Sequence, residues 1–209
     1  MKNIIIVGAG GFGKEVAHSL QSLDEFNVIG FADDTIDKDE KIIYDYYVKF
    51  SIDELINFNE ELCLAIAISD PIERQQVYFK LSINPCFSFP NIIAKGVNID
   101  TSVTLGQGNI IMHGTLMTCN ILVGNFNFFN GSSGIGHDVI IGNFNTFGPR
   151  TFIAGSVLIG NECNFMLNSM VLSKVKVPDR VRLLLSSTIF KSPKKSGNYF
   201  GSPAMLVNY

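Results

Sequence analysis

Residues 93–177 read, in blocks of six, IAKGVN IDTSVT LGQGNI IMHGTL MTCNIL VGNFNF FNGSSG IGHDVI IGNFNT FGPRTF IAGSVL IGNECN FMLNSM VLSKVK and V. Every block opens on an apolar residue, from Ile93, Ile99 and Leu105 through to Val171 and Val177, and no insertion breaks the count. Neither the helical period of 3.6 nor the strand period of 2 selects every sixth residue. A hexapeptide β-helix does, because each block is one short strand and a turn, and stacked blocks share a continuous core. The residue after the apolar one is often small (Gly106, Gly124, Gly136, Gly142, Gly148, Ala154, Gly160) and is expected to let the chain turn a corner. Three blocks make one triangular coil, so the stretch predicts about five coils of a left-handed parallel β-helix. A sandwich or barrel would have loops of varying length and would lose the count.

Outside this stretch the chain reads as a different kind of structure. Asn3-Ile-Ile-Ile-Val7 is a short buried strand, followed by Gly8-Ala9-Gly10-Gly11-Phe12-Gly13 and a helical pattern running from Lys14 to near Leu23. Strand, glycine-rich turn and helix form the setting in which backbone N–H groups hold a phosphate. A second strand, Val28–Ala32, ends in Asp33-Asp34, where an acid can hold a ribose hydroxyl. Helices are expected over 51–58 and 71–81, with a third strand over 62–68 between them. The unit then stops near Asn84-Pro85, about half the length of a full dinucleotide-binding fold. The spacing of Gly8, Gly10 and Gly13 fits NAD. The truncation favours a nucleotide-linked substrate, and a turn that only packs helix on strand stays open. The expected organisation is a Rossmann-like domain over 1–84, a β-helix over 85–183 with 85–90 as its connection, and a C-terminal tail over 184–209 packing at the end of the β-helix.

Composition agrees with a well-buried protein: 46% of residues are apolar and 17% charged. No apolar run is long enough to span a bilayer, and the start has no signal-peptide pattern. Cys63, Cys86, Cys119 and Cys163 are scattered, which suggests neither a disulfide framework nor a metal site and points to the cytoplasm. Residues 1–89 carry 7 basic and 15 acidic side chains, residues 90–209 carry 9 and 4. Seven of those nine cations lie between Lys174 and Lys195, where they either attract a phosphorylated ligand or form a solvated surface. The net charge of −3 makes nucleic acid a poor partner. Flat prism faces favour packing against copies of themselves, so a trimer is expected.

The prism carries two histidines, His113 and His137. His137 follows Gly136 at a corner, so its ring should project outward, and Asp138 comes next. A neutral imidazole oriented by a carboxylate suits proton removal from an amine or hydroxyl. Adjacent strand residues point to opposite sides, so the two meet only if the chain turns there. An exposed turn histidine without a role is the other reading.

Taken together, Gly8–Val16, Phe31–Asp34, the hexads, Ile135-Gly-His-Asp-Val-Ile-Ile-Gly142 and the tail Gly201-Ser-Pro-Ala204 resemble the PglD/NeuD-like sugar acetyltransferases, related to the bacillosamine-pathway enzyme and the sialic acid O-acetyltransferases. The resemblance covers nearly the whole chain. It implies acetyl-CoA as co-substrate, no metal, and a homotrimer with active sites between subunits. The acceptor it implies is a nucleotide-linked amino sugar of a surface polysaccharide or glycan precursor, N-acetylated, with sugar O-acetylation as the alternative. His137 is then the general base assisted by Asp138. Gly10, Gly11, Phe12, Asp33, Asp34 and Ser69 bind the nucleotide, and Asn130 lies beside the reaction centre. Thr146, Gly155, Leu167 and Leu185 lie along the coenzyme. Three positions depart from the family pattern. Phe12 and Thr146 stand where histidines are common, and Leu183-Leu-Leu-Ser-Ser187 replaces a glycine-rich segment. A non-catalytic hexapeptide trimer therefore stays open. A nucleotidyltransferase would need a much longer N-terminal domain.

Overall fold

The computed structural model describes residues 1–207; residues 208 and 209, the end of the expected C-terminal tail, lie outside the described residues. The chain forms two compact units that divide after Lys95.

The first unit follows from its apolar runs. Strand β1 (Lys2–Val7) is followed by α1 (Gly11–Leu20), β2 (Phe26–Ala32), β3 (Lys41–Ile43), β4 (Tyr46–Phe50), α2 (Ile52–Ile56), β5 (Leu62–Ile66), α3 (Pro71–Leu81) and β6 (Phe87–Ser88). The sheet order is β3-β4-β2-β1-β5-β6, and only the β3–β4 pair is antiparallel. Ile4, Ile5, Ile6 and Val7 of the central strand are fully buried, as expected of a parallel strand covered on both faces. Helix α1 buries Val16, Ala17 and Leu20 on one face. Helix α2 opens with a Ser51/Glu54 capping box. Helix α3 opens with Pro71 behind an Asp70 cap that accepts from the amides of Ile72 and Glu73.

Three features depart from the sequence expectation. Helix α1 begins inside the glycine turn, at Gly11 rather than Lys14. Lys41–Phe50 forms a hairpin whose turn uses Tyr44 at φ +55° and no glycine, so the usual turn signal is missing. Phe87–Ser88, within the expected connection, pairs with Leu62 and Cys63 as the sixth strand.

The second unit is a prism of three parallel sheets built from two-residue strands. Strands eighteen residues apart pair in register: Phe128–Phe129 with Thr146–Phe147, and these with Asn164–Phe165. The first residue of each block is buried from Ile111 to Val177. Ile93, Ile99 and Leu105 are only half-buried. The repeat runs on past Val177, because Leu183 and Ile189 are buried and their strands pair with Asn164–Phe165 and Met170–Val171. The segment after 183 is therefore partly sheet: Gly197–Gly201 pairs parallel with Val181–Leu183, and Ala204–Val207 returns antiparallel upon it.

The corners differ from expectation in an instructive way. The left-handed residue is the third after the apolar one, not the small residue directly after it. Asn120, Phe126, Ser132, Asp138, Phe144, Arg150 and so on to Ser186 recur every six residues with φ between +52° and +63°. Such a conformation costs roughly 1–2 kcal/mol in a non-glycine residue. It is offset by a bond from each corner amide to the coil before, as in Phe126 N–H to the Gln107 carbonyl at 2.8 Å and Phe144 N–H to the Asn125 carbonyl at 2.9 Å. The small residues serve coil spacing instead. A Cβ on Gly124 would lie 2.6 Å from the Gly142 carbonyl oxygen, and one on Gly142 would lie 2.5 Å from that of Gly160.

Inside the prism the eighteen-residue register also stacks like on like. Phe129, Phe147 and Phe165 stack with centroids 4.6 and 5.1 Å apart. Asn109, Asn127 and Asn145 form a buried amide ladder, ending where Asn145 Oδ1 accepts from Cys163 N–H at 2.8 Å. Asn145 Nδ2 also donates to the Gly160 carbonyl. Asn145→Ala strands that amide and that carbonyl, at roughly 1–3 kcal/mol per buried group. The expected result is a fall in melting temperature of about 4 °C or more, measured by calorimetry against wild type.

Candidate active site

His137 and Asp138 occupy one corner of the prism. Asp138 is itself the left-handed corner residue, with φ +59°. That bend brings two adjacent side chains to the same side, and His137 Nδ1 lies 2.7 Å from Asp138 Oδ2. Facing an ionised carboxylate, the neutral ring keeps its proton on Nδ1, which donates to Asp138, and Nε2 is left as the acceptor. Most of the histidine side chain, 63%, is exposed. The ring edge bearing Nε2 lies against Gly155 of the next coil, where a Cβ would sit 2.5 Å from Nε2. The His137 contact, with the Asn120 side-chain amide, holds the Asp138 carboxyl below the usual carboxylate range.

The other residues singled out on the prism lie elsewhere. Leu167 and Leu185 are exposed and share a different corner, eighteen residues apart. Asn130 is half-buried in the run leading to that second corner, and its Oδ1 accepts from Gly131 N–H at 2.6 Å. Thr146 is buried, at an outward position of the sheet that also carries Phe128. One chain thus joins His137, Asp138 and Gly155 and does not bring Asn130, Thr146, Leu167 or Leu185 to them. The basic run is also spread out. Lys174 is a left-handed corner residue two coils beyond Asp138, whereas Arg180 pairs with Glu162.

In the first unit, Gly10 and Gly11 open α1 and have open space where a side chain would be. Gly13, by contrast, has no room for one, because a Cβ would meet the Gly8 carbonyl oxygen. Phe12 is half-buried on the first turn of the helix. Asp33 ties the end of β2 to the glycine turn, accepting from Ala9 N–H at 2.8 Å and from the Thr35 amide and hydroxyl. Burial pushes its carboxyl up, but those donors and the Ile36 amide together outweigh burial and leave it below the usual range. Asp34 Oδ1 accepts from Ile52 N–H at 2.7 Å, at the start of α2, a role the sequence did not signal. A cleft of about 360 Å³ at the carboxyl edge of the sheet is lined by Gly8, Asp33, Asp34, Ile68, Gln76 and Lys80, among others. Ser69 is exposed next to it, and its carbonyl and that of Ile68 accept from the buried guanidinium of Arg74. Burial lowers Arg74 to about 9, so it keeps its charge at neutral pH. Arg74, Asp33 and Asp34 each tie down a loop around this cleft, and Arg74 reads in the sequence as an ordinary helical residue.

Among the described residues no group of three histidine, cysteine or acidic side chains is placed to hold a metal, and no helix is long and apolar enough to cross a membrane.

Two outcomes follow for these sites. Gly155 has no left-handed backbone, and the atoms an alanine would meet belong to a movable ring. Gly155→Ala should therefore fold normally and displace His137, which a crystal structure or the histidine NMR resonances would show. The native Asp33 carboxyl titrates below that of an unfolded aspartate, so its contribution is full above about pH 4 and is lost as pH falls through the depressed native value. Stability of the first unit should fall in that acid window by less in Asp33→Asn than in wild type, measured by urea melts from pH 2.5 to 5.

Residues 3–81 match the family model described as the PglD N-terminal domain. A search of curated proteins gives no sequence match. Among solved structures, PerB from Caulobacter crescentus, determined with CoA and GDP-perosamine, is 23% identical with a TM-score of 0.91 over 100% of this chain and 98% of its own. The acetyltransferase domain of PglB from Neisseria gonorrhoeae, determined with acetyl coenzyme A, is 20% identical with a TM-score of 0.91 over 99% of both chains. WeeI from Acinetobacter baumannii is 22% identical with a TM-score of 0.81 over 99% of this chain and 100% of its own. Residues 3–81 thus match the PglD N-terminal domain family, and the chain from end to end has the fold of PerB, PglB and WeeI.

Proposed function

We propose that the chain transfers an acetyl group from acetyl-CoA to the amino group of a nucleotide-linked amino sugar. The observation that carries this reading is the exposed His137 ring, held at Nδ1 by Asp138 with Nε2 left as a base over Gly155. Likeness of fold to PerB and PglB, whose structures contain CoA with GDP-perosamine and acetyl coenzyme A respectively, supports the two substrates. Nε2 takes the proton that the amine loses as its nitrogen adds to the thioester carbonyl. Asp138 then faces an imidazolium and stabilises it. The same proton is available to the departing sulfur when the tetrahedral intermediate collapses.

The nucleotide belongs at the carboxyl edge of the first unit's sheet. There the open Gly10 and Gly11 allow a phosphate to approach the amides at the start of α1. Asp33 and Asp34 hold the surrounding backbone and keep free lone pairs for a ribose. Phe12 and Ser69 border the same turn and loop. Along the prism, Asn130, Thr146, Leu167 and Leu185 reach a His137 only if it belongs to another copy, which is the reason to place the site between subunits of a trimer. Two columns of exposed apolar side chains support such packing: Leu122, Ile140 and Leu158 on one sheet, and Leu116, Phe152 and Met170 on another.

His137→Ala should leave the protein folded and lower thiol release from acetyl-CoA, with GDP-perosamine and a panel of other amino-sugar nucleotides as acceptors, by roughly a hundred-fold. Asp138→Asn should cost less, because the proton acceptor remains. Near-wild-type turnover of His137→Ala would remove the histidine from the chemistry, and no turnover by the wild type with any acceptor would favour a non-catalytic trimer.

A further inference from the structure

The corner beneath Asp138 is tied down by a line of polar side chains that the reaction chemistry alone does not call for. Asn120 occupies the equivalent corner one coil earlier, also left-handed at φ +55°. Its side-chain Nδ2 donates to Asp138 Oδ1, the oxygen not used by His137. Asn120 is itself anchored, because its backbone N–H donates to Ser102 Oγ at 2.8 Å, one further coil down. Ser102 is held in turn: its hydroxyl donates to Asp100 Oδ1 at 2.5 Å and its amide donates to the same oxygen at 2.9 Å. Ser102, Asn120 and Asp138 are spaced by eighteen residues each, so the fold stacks them as one column.

We propose that Asn120 is a positioning residue for His137, fixing the Asp138 carboxylate in the rotamer that reaches Nδ1, with Ser102 and Asp100 as its anchor. This rests on the reading of His137 as the base, and it deepens that reading. The carboxylate is exposed, and an aspartate on a surface corner samples several rotamers unless both oxygens are engaged. With Oδ1 taken by Asn120, only Oδ2 is left for the ring. Gly155 on the following coil supplies the opposite wall, so the imidazole is fixed from two sides. Neighbouring coils offer few competing charges. At this corner Cys119 precedes Asn120 on the coil before, Gly155 and Ser156 stand on the coil after, and Lys174 is the charged residue of the column two coils beyond Asp138.

The line explains why the amide is useful here. An asparagine donates to the carboxylate without adding charge, whereas an aspartate at 120 would repel Asp138 and increase the negative potential at the ring. Opposite shifts are therefore expected from two substitutions. Asn120→Ala frees the carboxylate, weakens its hold on the imidazolium and moves the histidine titration to lower pH. Asn120→Asp moves it to higher pH.

The test uses full-length protein labelled with ¹⁵N-histidine. It carries three histidines, His18, His113 and His137, and His137→Ala identifies the relevant resonance. Wild type should show a His137 Nδ1 proton protected from exchange, Asn120→Ala should lose that protection, and Asn120→Gln should not restore it, its longer arm misplacing the amide. In the turnover assay with acetyl-CoA and GDP-perosamine, Asn120→Ala should lower kcat about five- to twenty-fold with KM for both substrates unchanged. Unmoved His137 titration in both Asn120→Ala and Asn120→Asp would overturn the positioning role, whether or not the enzyme turns over. Opposite shifts without turnover by wild type would leave the positioning role standing and overturn the acetyl-transfer reading instead.

Discussion

The second unit depends on a single backbone hydrogen bond repeated from corner to corner. From Phe126 onward it runs from the amide of a left-handed residue to the carbonyl nineteen positions earlier, as from Phe144 to Asn125 or from Ser156 to His137, and at Asn120 the Ser102 hydroxyl takes the carbonyl's place. The bond fixes the length of a coil, because a coil one residue longer or shorter would misplace the donor. Fixed length then dictates everything stacked along the prism: the phenylalanine pile, the asparagine ladder and the close glycine column. A strained conformation in residues as different as Phe126, Arg150 and Glu162 is tolerated because each strained amide is paired.

The same constraint makes the candidate active site. A histidine and an aspartate next to each other on a strand would point apart, and the left-handed turn at Asp138 is what brings them together. The coil before supplies the asparagine that engages the carboxylate, and the coil after supplies a glycine with no side chain to crowd the ring. Three consecutive coils thus contribute to one acid–base pair. None of these residues is close to another coil's contribution in sequence.

That spacing also explains what the sequence could and could not reveal. The hexad period was legible because each block repeats the same apolar choice, and His137-Asp138 was legible because the pair is contiguous. Asn120 was not, since its partner lies eighteen residues away and an isolated surface asparagine carries no signal. The left-handed position was missed because asparagine, phenylalanine, serine and arginine share no chemistry. The glycines stand out in the sequence instead, and their task is coil spacing. In the first unit the glycine turn and the two flanking strands were readable, and residues 3–81 match the PglD N-terminal domain family. The engagement of Asp34 with α2 was not readable, because it joins residues eighteen apart across a hairpin whose turn lacks glycine. Leu183, at the head of the segment that departs from the family pattern, is one more core residue of the same repeat.

The C-terminal hairpin has a bearing on solubility. A stack of matched coils has no intrinsic end, and its last strands present unpaired amides and carbonyls on which another chain's strands could build a fibre. Here one sheet is terminated by a strand running the opposite way, Ala204–Val207, whose direction cannot template a further parallel coil. A second sheet ends on the strand bearing Lys176, a charge that discourages a neighbour from docking. Without the Ala204–Val207 strand that sheet would end on Gly197–Gly201, which pairs parallel with Val181–Leu183 and would offer its free edge to a neighbour, turning a folded solenoid into a seed for end-to-end polymerisation.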